Sequence, residues 1–115
     1  MADVGSPRLD LGRLGAEVTV VAGRQAARLC ALNVLSQVNA ALAGDWSRLK
    51  RCVRLTGYVS SAPSFFEQPR VIDGASDLIV EVLGEAGRHA RSAIGVAALR
   101  ANVPVVVEAV FELND

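Results

Sequence analysis

The spacing of apolar residues changes from a helical period to a strand period along the chain, and this change strongly constrains the fold. Between about Val20 and Ala43, apolar residues recur every three or four positions and share one helical face: Ala27, Ala31, Val34, Val38 and Leu42. Thr19 is suited to cap the start of this helix, and Gly44 follows its last periodic residue. The segment therefore predicts a long, alanine-rich helix that packs closely on a sheet.

The remaining segments predict a strand, a second helix and two further strands. From Lys50 to Ser60 the period becomes two, with Val53, Leu55, Gly57 and Val59 on the face expected to be buried. A second helix is expected to start near Pro69 and to stop at Gly84 and Gly87, with an apolar stripe of Val71, Ala75, Leu78, Ile79 and Val82. The last two strands are expected over about Arg91 to Leu99 and Val103 to Leu113.

This order of elements predicts an α+β or α/β sandwich with two helices on one face of a sheet. Residues 1–18 are punctuated by glycine and proline and predict a loop, and residues 19–113 form the expected core. The length of 115 residues is that of one domain. The opposite sheet face is rich in valine and alanine, so we expect another subunit to cover it.

Charge and composition exclude several classes of partner. Twelve lysine and arginine residues balance twelve aspartate and glutamate residues, and aromatic residues make up only 4%. Both values argue against a nucleic-acid-binding surface. The chain begins without a signal peptide and has no apolar run long enough to span a bilayer, so we expect a cytoplasmic protein with no membrane partner. Cys30 and Cys52 are then expected to be reduced, buried thiols.

Common sequence motifs of nucleotide-binding and hydrolytic sites are absent, and two single residues attract attention instead. Arg91 stands at the entry to a predicted strand, where its planar guanidinium could bind a carboxylate, although an arginine there commonly forms a surface ion pair. Glu108 interrupts an apolar strand, and it lies either on a solvated face or in a buried, partnered position. His89 is the single histidine, and it is more often structural or solvated than functional in such a setting.

Several motifs together resemble the RidA family, also called YjgF and formerly endoribonuclease L-PSP. The C-terminal signature is carried by Arg91 to Val96, Leu99, and Val105 to Val110. Three further stretches resemble a longer bacterial subgroup of this family, at residues 61–69, 71–78 and 84–91. The resemblance covers roughly residues 12–113. It implies a chorismate-mutase-like fold, a homotrimer, and ligand clefts between neighbouring subunits.

The resemblance also implies an activity and assigns residues to it. Enzymes of the family hydrolyse enamine and imine intermediates such as 2-aminoacrylate, releasing ammonia and a 2-keto acid, without a cofactor or a metal. By this resemblance Arg91 binds the substrate carboxylate, Glu108 positions the attacking water, and the backbone near Ala93 contacts the ligand. Asp73, where the family often has Asn, belongs to the same substrate-binding set and adds negative charge. The implied ligand is a small imino or keto acid.

Departures from the family pattern leave other functions open. The family begins with a β-hairpin for which this chain has no evident counterpart, and Arg100 and Val106 replace residues common in the family, Pro and Glu. The alternatives are therefore a trimeric protein that binds a small ligand without turnover and an inactive, truncated member. Endoribonuclease activity, which the older family name carries, is the weakest hypothesis because the net charge is zero.

Overall fold

Two helices and three strands make up the computed structural model, which describes residues 10–114. In chain order they are α1 (Val20–Ala41), β1 (Leu49–Ser60), α2 (Gln68–Leu83), β2 (Ala90–Val96) and β3 (Val105–Leu113). The predicted order of elements is confirmed. The predicted N-terminal loop falls partly on residues 1–9, which lie outside the described part. Residues 10–19 contain only isolated bridges, which pair Leu14 with Val18 and Ser61.

The three strands form a mixed sheet in the order β2-β1-β3. β1 runs parallel to β2 and antiparallel to β3, and α2 makes the crossover between the two parallel strands. Among the described residues β2 and β3 are therefore the edge strands. Two helices on a mixed sheet confirm the α+β class expected from the sequence.

Both helices pack on one face of the sheet, and the core lies between them. Leu55 and Val59 point from β1 into this core, where they join Ala27, Ile72 and further residues of the helices. Each of these four side chains is fully buried, so burial of apolar surface is the main force that holds the layers together. We call this the helix side of the sheet and the opposite surface the open face.

One predicted detail of β1 is wrong, and its cause is a break in strand register. The sequence pattern placed Val53 on the buried face, but Cys52 is only 1% exposed and Val53 is partly exposed. The pairing of β1 with β3 shifts between Cys52 and Arg54, as in a β-bulge. Such a bulge adds a residue to one strand and reverses the alternation on one side of it.

Two further boundaries and one stripe residue differ from the prediction. Val82 was expected in the apolar stripe of α2, but it is 54% exposed. β2 ends at Val96 and β3 begins at Val105, because a short turn lies between them. In that turn Ala101 and Asn102 have positive φ angles of 53° and 58°, which a strand does not allow.

Two glycines allow α2 to approach its neighbours closely. A Cβ atom at Gly57 of β1 would overlap the side chain of Ile72, and a Cβ atom at Gly74 would overlap the backbone carbonyl of Arg24 in α1. Ile72 and Gly74 flank Asp73 in the chain. The absence of side chains at these two points therefore determines where α2 presents Asp73.

Cys30 and Cys52 are both free thiols, and burial raises the pKa of each above its ordinary value. No helix among residues 10–114 is long and apolar enough to cross a membrane.

Candidate functional site

Arg91 lies on β2, at the edge of the sheet, and its side chain is directed towards α2. In the parallel ladder it is aligned with Leu55, whose side chain is buried on the helix side. Its Nη1 atom donates a hydrogen bond to Asp73 Oδ1 at 2.6 Å and another to Ser76 Oγ at 3.3 Å. Asp73 and Ser76 are three residues apart on α2, so both occupy one helical face.

The ion pair between Arg91 and Asp73 is accessible from solvent but not fully exposed. The Arg91 side chain is 27% exposed and that of Asp73 is 39% exposed. Among residues 10–114, both side-chain hydrogen bonds of Arg91 come from Nη1, and Nε and Nη2 make none. The guanidinium therefore keeps one edge with two parallel donors, which is the arrangement that binds a carboxylate through two hydrogen bonds.

Ser76 connects this pair to His89. The Oγ atom of Ser76 lies 3.0 Å from Nε2 of His89, and Nδ1 of His89 lies 2.6 Å from the carbonyl oxygen of Gly87. His89 and Arg91 are two residues apart, which places them on the same side of the extended backbone. We call Asp73, Ser76, His89 and Arg91 the arginine cluster.

The sequence alone identified only part of the arginine cluster. It named Arg91 and Asp73, gave His89 little weight and did not consider Ser76. Two spacings in the sequence indicate the missing residues. Asp73 and Ser76 are an i, i+3 pair on α2, and His89 and Arg91 are an i, i+2 pair at the start of β2. Recognising them required knowing that α2 packs beside β2, which periodicity alone does not reveal.

Ala93 lies on the same side of β2 as Arg91 and is aligned with Gly57 of β1. Because β2 is an edge strand among the described residues, alternate backbone N–H and C=O groups along it face away from β1. Three of the four site residues expected from the sequence, Arg91, Asp73 and Ala93, are therefore brought to one edge of the sheet.

Glu108, the fourth, lies on the open face. It is aligned with Thr56 of β1, the residue after Leu55, so its side chain points away from the helices. The hydroxyl of Tyr58 donates a hydrogen bond to Glu108 Oε1 at 3.1 Å. That bond, together with the negative charge of Glu108, raises the pKa of Tyr58 above its ordinary value. Glu108 is exposed, so of the two alternatives that the sequence left open it occupies the solvated face, although it has a side-chain partner.

A shallow pocket surrounds Glu108 on the open face. Its volume is about 210 Å³, and it is lined by Arg54, Thr56, Glu108, Ala109 and Val110. No described helix covers this face, and Ile94 and Val110 on it are 41% and 49% exposed. The pocket combines a cation, a hydroxyl and a carboxylate with apolar neighbours.

Within one chain, Arg91 and Glu108 therefore occupy opposite surfaces of the sheet and cannot contact the same small ligand. Residues 10–114 contain no group of three or more His, Cys, Asp or Glu side chains that could hold a metal ion. The arginine cluster is suited to bind a carboxylate, and Glu108 with Tyr58 is suited to hold a water molecule or to exchange a proton.

Residues 5–113 match the model of the family described as "YjgF/chorismate_mutase-like, putative endoribonuclease". The chain belongs to this family. The resemblance stated from the sequence motifs is thereby confirmed, as is the chorismate-mutase-like fold.

The chain is 56% identical to Protein TCP17 of Trypanosoma cruzi over 105 residues, which are 90% of this chain and 65% of TCP17. It thus spans slightly less than two thirds of that relative.

Two solved structures are similar to this one. The protein Atu1372 of unknown function from Agrobacterium tumefaciens has a TM-score of 0.90 and 49% identity, over 92% of this chain and 68% of that one. A protein from Shewanella oneidensis, described as a putative endoribonuclease, has a TM-score of 0.81 and 41% identity, over 86% and 65% of the two chains. Only the second of these two descriptions shares a term with the family description, and neither names a deaminase reaction.

Proposed function

We propose that this protein is an enamine/imine deaminase, which hydrolyses 2-aminoacrylate-type intermediates to a 2-keto acid and ammonia. One observation carries the proposal: the guanidinium of Arg91 is held through Nη1 by Asp73 and Ser76, while its Nε and Nη2 atoms make no hydrogen bond among the described residues. A small planar imino acid offers a carboxylate that fits this edge. Membership of the YjgF family supports the same substrate class.

The reaction needs a bound carboxylate, a water molecule and a group that moves protons. A proton first moves from nitrogen to C3 of the enamine 2-aminoacrylate, which gives its imine tautomer, 2-iminopropionate. Water then adds to the imine carbon, so that a C–O bond forms while the π electrons move to nitrogen, which takes up a proton. As the C–N bond of the tetrahedral intermediate breaks, its hydroxyl group loses a proton and becomes the carbonyl of the 2-keto acid, and ammonia leaves. Arg91 would orient the substrate through its carboxylate, and a glutamate would accept a proton from the water and return it to the leaving nitrogen.

The positions of Arg91 and Glu108 favour a site shared between subunits. Because they lie on opposite surfaces of one sheet, a ligand that meets both must take Arg91 from one chain and Glu108 of the partner subunit. We propose a homotrimer in which the open face is buried and three such sites form. The exposed apolar residues Ile94 and Val110 on that face support its burial.

An ammonia-release assay with enzymatically generated 2-aminoacrylate tests this function. Arg91→Ala should abolish the acceleration, because the substrate loses its charged anchor. The matched control is Arg88→Ala, since Arg88 is close in sequence but is exposed and paired with Glu85. Equal activity of Arg91→Ala and the wild type would overturn the assignment of Arg91.

A second pair of variants examines the proton-transfer group. Glu108→Gln should lower kcat by about 100-fold with little change in KM, a typical contribution of general acid–base catalysis. Glu112→Gln is the control, because Glu112 lies on the same strand and pairs with Arg51 and Lys50 instead. Equal losses in kcat and binding in Glu108→Gln would assign a structural role to Glu108.

The second candidate is a protein that binds a small carboxylate without turnover. The position of Glu108 favours it, because Glu108 lies on the other surface of the sheet and the one carboxylate in the arginine cluster, Asp73, is already paired with Arg91. Saturable binding of pyruvate that requires Arg91, without any ammonia release, would decide for this candidate and against the deaminase.

A further inference from the structure

The hydrogen bonds of the arginine cluster have only one consistent set of directions when His89 is neutral. The carbonyl oxygen of Gly87 can only accept, so Nδ1 of His89 carries the proton. Nε2 is then an acceptor, and the hydroxyl of Ser76 donates to it. This leaves the lone pairs of Ser76 Oγ for the hydrogen bond donated by Arg91 Nη1. The tautomer is assigned from these partners.

This chain of donors and acceptors uses both hydrogens of Arg91 Nη1, one towards Ser76 and one towards Asp73. Two anchors on one nitrogen fix the plane of the guanidinium as well as its position. With Asp73 alone, the guanidinium could turn and present two nitrogens to that carboxylate, which is the geometry that arginine and aspartate prefer. Its other edge would then no longer be available to a ligand.

Ser76 opposes that rotation only if its own hydroxyl proton is directed elsewhere. A hydroxyl whose proton pointed towards Arg91 would repel the guanidinium instead of accepting from it. His89 removes this possibility because its Nε2 atom takes the proton, and Gly87 in turn holds the ring. Ser76 and His89 are both partly buried, which limits competition from water.

We propose that Ser76 and His89 are positioning residues that keep the guanidinium of Arg91 from turning a second nitrogen towards Asp73, so that its Nε–Nη2 edge stays open to a ligand carboxylate. The proposal rests on the proposed function only for the class of ligand, a small 2-keto or imino acid. It does not require that this ligand be turned over.

Pyruvate binding, measured by calorimetry on the wild type and a series of variants, tests the proposal. Ser76→Ala should weaken binding about tenfold, the usual consequence of losing a hydrogen bond to a charged group. Ser76→Thr keeps the hydroxyl and should restore binding to within about twofold. The matched control is Asp77→Asn, because Asp77 is the next residue on α2 but faces Arg24 at 3.8 Å.

A second experiment measures how fast the guanidinium of Arg91 rotates when no ligand is bound. In nitrogen-15 NMR spectra, rotation about the Cζ–Nη1 bond of Arg91 should be slow in the wild type and faster in Ser76→Ala. His89→Phe keeps a planar ring but loses both hydrogen bonds, and it should show an intermediate rate. The resonances of His89 should report a proton on Nδ1, and a proton on Nε2 alone would reverse the chain of donors and overturn the proposal.

The outcomes separate this proposal from the proposed function. If the wild type binds pyruvate but releases no ammonia, and Ser76→Ala weakens binding, the positioning role stands and the deaminase fails. If the wild type releases ammonia, Ser76→Ala should raise KM with little change in kcat. Unaltered binding in a folded Ser76→Ala variant, or no pyruvate binding by the wild type, would refute the positioning role.

Discussion

The two surfaces of the sheet differ in how many polar side chains one chain links by hydrogen bonds. On the helix side, the arginine cluster links a cation, a carboxylate, a hydroxyl and an imidazole in one continuous network that ends on a backbone carbonyl. On the open face, Glu108 has a single side-chain partner, Tyr58, and lies beside exposed apolar residues. One chain thus orders a polar network on the helix side, whereas on the open face it orders only a single hydrogen bond around Glu108.

This difference separates the two halves of the proposed chemistry. Recognition of a carboxylate depends on residues that one chain arranges by itself, so it should survive in an isolated subunit. In the proposed reaction, proton transfer depends on Glu108, which only a second copy of the chain can bring to the arginine cluster. A variant that separates the subunits should therefore lose turnover but still bind the carboxylate, whereas a variant of the arginine cluster should lose binding.

The largest expected effect is the loss of assembly when a charge is placed on the open face. Ile94→Glu should convert the proposed trimer to monomers, because a buried carboxylate without a partner is very costly. Val82→Glu is the control, since Val82 is similarly exposed but lies in the helix layer. Light scattering coupled to size-exclusion chromatography measures both, and a trimer that persists in Ile94→Glu would contradict burial of that face.

The next largest effect is a loss of stability from a change on the helix side. Ile72 is fully buried, and Ile72→Ala should reduce the free energy of unfolding by about 2–5 kcal/mol, because it leaves a cavity. Val110→Ala on the open face should cost less than about 1 kcal/mol in the unassembled chain. Urea denaturation at equal protein concentration compares the two, and similar losses would remove the contrast between the surfaces.

A smaller effect concerns the pKa of Tyr58, the only tyrosine of the chain. Because its phenol donates to Glu108, its pKa is raised, and the stability that this bond contributes is present below the unfolded pKa and lost as the pH rises through the folded pKa. Phenolate absorbance should therefore titrate above the ordinary value of 10.0 and move back towards it in Glu108→Gln. An identical midpoint in both proteins would show that the bond is absent in solution.

The smallest effect is expected at Glu112, near the far end of β3. The hydrogen bond from Arg51, followed by the charge of Lys50, lowers the pKa of Glu112. The resulting stability is present above the unfolded pKa and is lost as the pH falls through the folded pKa. Arg51→Met should return the pKa towards its usual range, and Lys50→Met should change it less. Carboxyl carbon-13 NMR measures both shifts, and the reverse order would contradict the geometry.

The fold followed from the sequence because each element carries a clear period of its own. The positions of α1 and β1 needed only the spacing of residues such as Ala27, Ala31, Leu55 and Val59. The burial of Cys52 in place of Val53 could not be predicted from this spacing. It arises from the pairing of β1 with a strand about 60 residues later in the chain.

Some residues of the candidate site could be named from the sequence, but their arrangement could not. The family motifs identified Arg91 and Glu108, yet nothing local to either residue says that they face opposite ways. That result depends on their alignment with Leu55 and Thr56, two consecutive residues of the central strand. Ser76 was missed for a related reason, because its importance comes from the packing of α2 beside β2.

The two close approaches made by Gly57 and Gly74 bear on how a ligand would be received. They press α2 against the sheet on one side of Asp73 and against α1 on the other, so the helix has no room to slide or tilt at that point. Asp73 and Ser76 therefore lie on a closely packed helix and Arg91 lies on a strand, so three of the four side chains of the arginine cluster are held by regular elements. A carboxylate would meet a receptor that is already in its bound shape, and little of the binding free energy would be spent on ordering the protein.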